Sequence, residues 1–473
     1  MRERSWWTPL GRSCTRMLPL VTAALVALSV VLAPPAVAAG GDLDPTFGHG
    51  GRATFWGAPG GSSVALQTDG KIVVGGGALD VAGQSRSAVA RYEADGSVDM
   101  SFGANGVVVT PFRTAAGCWD STSAVLVQTD GKIVAVGLSY CARALFAIAR
   151  YDTDGNLDPS FGTGGKVLTS FGPRATCSAH AEAATIQADG KVVAAGIARC
   201  GTGGPLLDFR YAVARYDLDG GLDPTFGHGG RVRTNFTPGY DNLADVALTR
   251  GGKIVVVGTS AEDSIDDPDA TETGFALARY RSDGSLDPTF GGDGRVIYHF
   301  HSRLCGGSPV ARAVAIQPDG KIVAAGMVGC APKVGAPPGP YFIVARLRVN
   351  GSLDPTFGRH GRVTTVFHVG ERAAAAFDVA IQANGKIVSA GWEGARPGVS
   401  DRTNFALIRY TTGGRLDPSF GGDGKVATGF GSKTCSSGIS AIVIQPDGKL
   451  LAIGSSCGGP KGSKFSMARY LAR

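Results

Sequence analysis

Side chains with chemical potential fall into two classes in this chain, those that recur at a fixed interval and those that occur once. The unrepeated aromatics are the candidates for recognition. All three tryptophans beyond the first forty residues, Trp56, Trp119 and Trp392, sit in stretches that do not repeat, and so do Tyr140 and Tyr240. Rings emerging from loops suit stacking on a sugar or a desolvated contact with a protein partner; the competing role is to cap the end of a sheet. The acidic run Glu262, Asp263, Asp266, Asp267, Asp269 and Glu272 carries the oxygen ligands that calcium takes, or else forms a solvated charged loop. DTDGNLD from Asp152 and DLDGGLD from Asp217 begin like a calcium loop. The remaining ligands of an EF-hand are missing, and other copies start with Glu93, Arg281 or Arg348, so a turn-forming role is expected.

Catalytic patterns are scarce. GSSCG from Gly454 to Gly458 formally fits GxSxG, but it leaves a strand for a loop instead of a helix, and its Cys457 has another role below. Neither HExxH nor a phosphate loop occurs, and His49, His228 and His360 fall inside FGxxG turns as variable turn residues. The chain is therefore expected to be non-enzymatic and to need no cofactor or metal. An acid and base gathered from distant loops, giving an extracellular polysaccharide hydrolase or lyase, is the alternative.

An internal repeat must position all of these residues. LDPTFG or a near copy begins at Leu43, Val98, Leu157, Leu222, Leu286, Leu353 and Leu416. A QxDGK tract places its glycine at Gly70, Gly131, Gly190, Gly252, Gly320, Gly385 and Gly448, at intervals of 59 to 68 residues. An ARY tract places its arginine at Arg91, Arg150, Arg215, Arg279, Arg346, Arg409 and Arg469. Each copy reads as four strands. VAIQ, the PDG turn and KIVAAG form a hairpin, FAVARY is the third strand, and the Gly- and Asp-rich LDPTFGGDG turn leads to a short fourth. The runs are apolar on both faces, as when each sheet lies between two others.

One copy is split between the two ends of the chain, LDPTFG and RATFW at the start and FSMARY at the finish. An open stack has no use for such a split, whereas a propeller closes its ring with it. The expected fold is all-β, a seven-bladed β-propeller of four-stranded blades in which the strand Arg52 to Trp56 completes blade seven. The three tracts, from Leu43 to Tyr470, resemble the delta-60 repeat family, tandem repeats of exported bacterial proteins. That resemblance also implies a β-propeller and supplies no activity. VDMSFG at Val98, RGGK at Arg250, QANG at Gln382 and ARL at Arg346 are local departures.

Residues 1–38 read as a secretory signal peptide, with Arg2, Arg4, Arg12 and Arg16 before an uncharged run from Leu18 to Ala33 and small residues up to Ala38. The propeller then occupies 39–473, and no stable membrane anchor remains after cleavage. The formal charge of +7 falls once the leader is removed, and no Lys or Arg cluster exists, so nucleic acid is a poor partner. Export to an oxidising compartment makes disulfides reasonable. Eight cysteines flank the hairpins in register, pairing Cys118 with Cys141, Cys177 with Cys200, Cys305 with Cys330 and Cys435 with Cys457. Alternating strands then place the PDG and LDPTFG turns on one face, and the variable loops, disulfides and odd aromatics on the other. The aromatics are expected to gather on a contiguous sector, blades six, seven, one and two. The resulting expectation is a secreted, monomeric binding module whose partner is an extracellular glycan or protein.

Overall fold

The structure, a computed structural model, describes residues 39–55, 60–172, 177–201, 209–237, 239–262, 272–300, 308–329, 340–367, 372–395, 402–431, 436–457 and 463–472. The proposed signal peptide lies outside these residues, as do Trp56, Cys305, Cys330, Cys435 and the acidic loop from Asp263 to Asp269. Among the described residues every regular element is a strand, and the fold is an all-β, propeller-like assembly of four-stranded antiparallel sheets.

The strands follow the repeat. Unit 1 comprises β2 (Gly60–Leu66), β3 (Ile72–Leu79), β4 (Ser85–Tyr92) and β5 (Val107–Thr110), and β1 (Arg52–Phe55) precedes it. Unit 2 comprises β6 (Trp119–Val127), β7 (Ile133–Cys141), β8 (Arg143–Tyr151) and β9 (Lys166–Thr169). Unit 3 comprises β10 (Cys177–Ile186), β11 (Val192–Cys200), β12 (Phe209–Tyr216) and β13 (Arg231–Thr234). Unit 4 comprises β14 (Gly239–Leu248), β15 (Ile254–Glu262), β16 (Glu272–Tyr280) and β17 (Arg295–Tyr298). Unit 5 comprises β18 (Pro309–Ile316), β19 (Ile322–Val328), β20 (Tyr341–Leu347) and β21 (Arg362–Thr365). Unit 6 comprises β22 (Arg372–Ile381), β23 (Ile387–Ala395), β24 (Thr403–Tyr410) and β25 (Lys425–Thr428). Unit 7 comprises β26 (Ser437–Ile444), β27 (Leu450–Cys457) and β28 (Ser463–Tyr470), and β1 pairs antiparallel with β28 as its fourth strand, Phe55 opposite Phe465. A single parallel pair, Phe209 with Tyr240, joins units 3 and 4 into one sheet.

The KIVAAG and ARY strands are buried on both faces because each is sandwiched between neighbouring units. Val255, Val257, Phe275 and Leu277 of unit 4 share a core with Ala311, Ile322, Ala324 and Ile343 of unit 5. Ile72, Val74 and Ala90 of unit 1 do the same with Leu451, Ile453 and Met467 of unit 7. The tyrosine of ARY reaches into the preceding unit, as where Tyr216 donates to Thr169 Oγ1 at 2.9 Å and Tyr470 to Thr428 Oγ1 at 2.9 Å. Where ARY becomes ARL, Leu347 packs in a core whose preceding fourth strand carries Tyr298 in place of that threonine.

Each first strand carries a β-bulge at the same point, at Ser62, Ser123, Glu182, Ala244, Arg312, Phe377 and Ser440. The glycine that closes KIVAAG lies opposite. A Cβ on Gly137 would stand 2.1 Å from the Ser121 carbonyl oxygen, so only glycine lets the second strand pass the bulge.

Candidate functional site

The two ends of each unit differ in what they hold. At the PDG and LDPTFG end, one carboxylate gathers the local charges. Asp223 Oδ2 accepts from Arg215 Nε and Lys191 Nζ, both at 2.7 Å, while Oδ1 accepts from the Thr225 amide at 2.9 Å and its hydroxyl at 2.7 Å. Burial pushes this carboxyl up, but the hydrogen bonds from Lys191 and Thr225 and the Arg215 charge outweigh it and hold the group well below the usual carboxylate range. Arg215 also covers the Phe226 ring at 4.7 Å and donates to the Ser282 carbonyl of the next unit. Equivalent arginine–aspartate pairs recur in the other units, ending with Arg469, which binds Asp44 at 2.7 Å and the Ala94 carbonyl of unit 1 at 2.6 Å. A group present in every unit serves the packing of units. The DTDGNLD segment belongs here too, since Asp152 Oδ1 accepts from the Asp154 and Asn156 amides and so closes a turn.

At the opposite end, the first and second strands are tied by Cys118–Cys141 and Cys177–Cys200, with Cα–Cα distances of 4.5 and 4.1 Å. Cys457 is also disulfide-bonded. Of the described aromatic candidates, Tyr240 falls outside the sector of blades six, seven, one and two expected from the sequence. Trp119 and Tyr140 stand opposite each other at the start of β6 and the end of β7, ring centres 5.6 Å apart. Tyr240 opens β14 two units further on and packs on Phe209 at 4.7 Å. Trp392 belongs to unit 6. Of these residues Trp119 is 40% exposed and Tyr240 38%, whereas Trp392 is half-buried and faces inward.

Trp392 faces a cavity of about 500 Å³ that collects the bulge residues of all seven first strands, together with Asn242 and Ser455. A narrower chamber of about 270 Å³ continues past the same bulges and is lined by Ser63, Asp245 and Asp378. Grooves of about 630 and 740 Å³ at the outer strands are lined by equivalent residues of different units, such as Gly48, Arg52 and Asp95 against Gly162, Lys166 and Asp219, as repetitive packing dictates. The central cavity is instead asymmetric. Four of its bulge positions hold Ser or Ala, and the other three hold Glu182, Arg312 and Phe377.

These side chains are held in defined geometry. Glu182 Oε1 lies 3.0 Å from His180 Nε2, two residues earlier on β10. The Arg312 guanidinium lies 5.5 Å from the centre of the Phe377 ring on the neighbouring unit. Asn242 donates to the Tyr240 hydroxyl at 3.1 Å. Asp245 and Asp378 follow the bulges of β14 and β22, each accepting an amide from its own strand and one from the next unit. Asp245 takes Val246 at 2.7 Å and Val314 at 2.8 Å, and Asp378 takes Val379 and Ile442, both at 2.7 Å. Ser63 spans the same gap by accepting from the Val125 amide at 3.1 Å. Burial raises the Asp245 carboxyl to about 7, with the Asp378 charge adding to the rise, and burial raises Asp378 to about 6. Groups poised near neutrality inside a cavity can exchange protons with a ligand.

The sequence reading passed over Glu182, Arg312, Phe377, Asp245 and Asp378 because each sits inside a repeat tract. Their signal was a column. Counted back from the last residue of VAIQ, the fifth position reads Ser, Ser, Glu, Ala, Arg, Phe, Ser and the fourth reads Ser, Ala, Ala, Asp, Ala, Asp, Ala across the seven copies. The GSSCG serine, Ser456, is by contrast buried within β27 and bonded to Ser466 Oγ at 2.7 Å.

A family model described as a domain of unknown function (DUF5122) beta-propeller matches residues 67–102, 128–161, 187–226, 252–290, 338–357 and 382–420. Those segments are thus similar to the repeats of a propeller family. A comparison with curated proteins found no match. Among solved structures, a polysaccharide lyase described as an ulvan lyase superposes with a TM-score of 0.51 at 12% identity, covering 89% of this chain and 96% of that one. The ulvan lyase bound to a GlcA(1-4)Rha3S saccharide gives 0.50 at 11%, with the same coverage. The likeness is one of fold. It overturns the expectation that the chain is not an enzyme, since that expectation rested on the lack of a contiguous motif, and this architecture carries lyases. A propeller site takes single residues from separate strands, so no contiguous motif need exist.

Proposed function

We propose that the chain is an extracellular seven-bladed propeller of delta-60-type repeats, closed into a ring, which cleaves a polysaccharide held in its central cavity. Three features support the ring: β1 pairs with β28, Arg469 reaches the Ala94 carbonyl, and all seven first strands line one cavity. Disulfides within units 2 and 3 favour an oxidising compartment. A signal peptide over residues 1–38 would deliver the chain there, and a secreted product starting near Ala39 in N-terminal sequencing tests this.

The observation that carries the catalytic reading is the asymmetry of the cavity, where Glu182, Arg312 and Phe377 replace the Ser or Ala of the other bulges and Trp392 joins them. Trp392 and Phe377 offer apolar faces to a pyranose, and Asn242, Glu182 and Arg312 offer partners to its hydroxyls. Hydrolysis and elimination both need one group to take a proton and another to deliver one. The His180–Glu182 pair stands at the cavity, and Asp245 and Asp378 lie just beyond with carboxyls raised toward neutrality. The test is product release from a panel of neutral and acidic polysaccharides, read as new reducing ends or unsaturated termini. Glu182→Gln should lower turnover by about a hundredfold or more while the melting temperature holds. A purified chain that neither cleaves nor binds any polysaccharide of the panel would remove the proposal.

A further inference from the structure

The arginines of the repeat each have a carboxylate, and Arg312 does not. Arg91, Arg150, Arg215, Arg279, Arg346, Arg409 and Arg469 all bind the aspartate of their LDP tract at 2.6 to 2.9 Å. Arg312 projects from a bulge into the cavity, stacks on Phe377 of the neighbouring unit, and forms no ion pair among the described residues. Its Nε is buried without a hydrogen-bond partner. Glu182, a carboxylate on the same cavity wall, is engaged with His180 instead.

A guanidinium with no carboxylate beside it is a strong donor group left unspent, and the Phe377 face restrains its orientation. Such a fork matches the planar oxygens of a carboxylate or the oxygens of a sulfate, and it binds them through paired charge-assisted hydrogen bonds. Trp392 lines the same cavity and offers the surface on which the ring bearing that group would stack.

We infer that Arg312 is the anion-binding residue of this cavity and that the saccharide it takes is polyanionic, bearing carboxylate or sulfate groups. The inference rests on the polysaccharide reading above and adds the charge class of the substrate. Arg312 serves recognition, while Glu182 and its neighbours serve proton transfer.

Titration calorimetry on the purified chain tests this with three probes of equal length: an oligogalacturonate, a sulfated oligosaccharide and a neutral cello-oligosaccharide. At least one anionic probe should bind about tenfold or more tightly than the neutral one, with affinity falling as salt rises. Arg312→Gln should cut that affinity by about tenfold or more and flatten the salt dependence, at an unchanged melting temperature. Arg312→Lys should restore part of it, since charge returns without the fork. Arg281→Gln, an exposed turn residue at the opposite end, should bind as the parent does. Carboxylate and sulfate are distinguished by which anionic probe wins. Equal binding of anionic and neutral probes, or an Arg312→Gln chain that keeps full affinity and salt dependence, overturns the inference while leaving the polysaccharide reading intact. Absence of binding by all three probes, together with no cleavage across the panel, overturns both.

Discussion

The two ends of the same strands have opposite designs. At the PDG and LDPTFG end a Lys, an Arg and an Asp meet in unit after unit, and the arginine crosses to a backbone carbonyl of the following unit. At the cavity the equivalent bulge positions differ from unit to unit. The difference teaches that the repeated network and the variable cavity positions are kept apart in each unit. A repeated network can hold the units together because it never has to vary, which frees the bulge positions to change one at a time. Substitutions at the two ends should therefore fail in different ways.

The largest effect should come from breaking one repeated network. Asp223→Ala leaves Arg215 buried without its partner and should cost about 3–5 kcal/mol of stability, read by chemical denaturation, with the cavity chemistry intact in whatever fraction remains folded. A loss below about 1 kcal/mol would mean that the network contributes little and would erase the contrast. Removing the Cys118–Cys141 bridge by a double serine substitution should cost about 3 kcal/mol, because the open hairpin regains chain entropy when unfolded. That change should also leave the second bridge, in unit 3, unaffected under non-reducing peptide mapping.

The pH response sharpens the comparison because carboxylates at the two ends are shifted in opposite directions. Asp245 and Asp378 keep their protons up to about pH 7 and 6 when folded, but lose them near 3.8 when unfolded. The folded chain therefore binds more protons over that window, and the stabilising contribution, complete below 3.8, is lost as pH rises through 6 to 7. Asp223 and its counterparts are depressed, so their contribution is complete above 3.8 and lost as pH falls below it. Stability should peak in mildly acidic solution. Asp245→Asn and Asp378→Asn should flatten the neutral limb of thermal melts across pH and leave the acid limb unchanged; an unaltered neutral limb would show that other groups produce it.

The smallest effect is expected at the rim. Trp119→Ala removes a 40%-exposed ring paired with Tyr140, and should shift stability by less than about 1 kcal/mol without changing turnover. Trp392→Ala, in the cavity, should lower turnover. Equal losses in the two variants would move the site outward to the loops.

Much of the architecture was legible before any coordinates, because a four-stranded unit writes its turns into local chemistry. The PDG glycine, the LDP aspartate and the double-sided apolar strands depend on neighbours in the chain, so spacing alone locates them. The cysteine register likewise follows from hairpin ends that are adjacent by construction. The site was legible only in part. Trp392 was singled out for being unrepeated, and so were Trp119 and Tyr240, which do not line the cavity.

What the amino-acid sequence determined by itself was the unit: its strands, its turns, and the pairing of Cys118 with Cys141 and Cys177 with Cys200. What only the tertiary structure decided was which side chains meet, since Glu182, Arg312 and Phe377 lie on three different sheets and share a cavity only because a bulge turns each of them inward at the same height. Turns and hairpins are set by bonds between residues a few positions apart. The cavity is set by residues that seven separate first strands bring to its lining, and no local stretch of the chain carries that information.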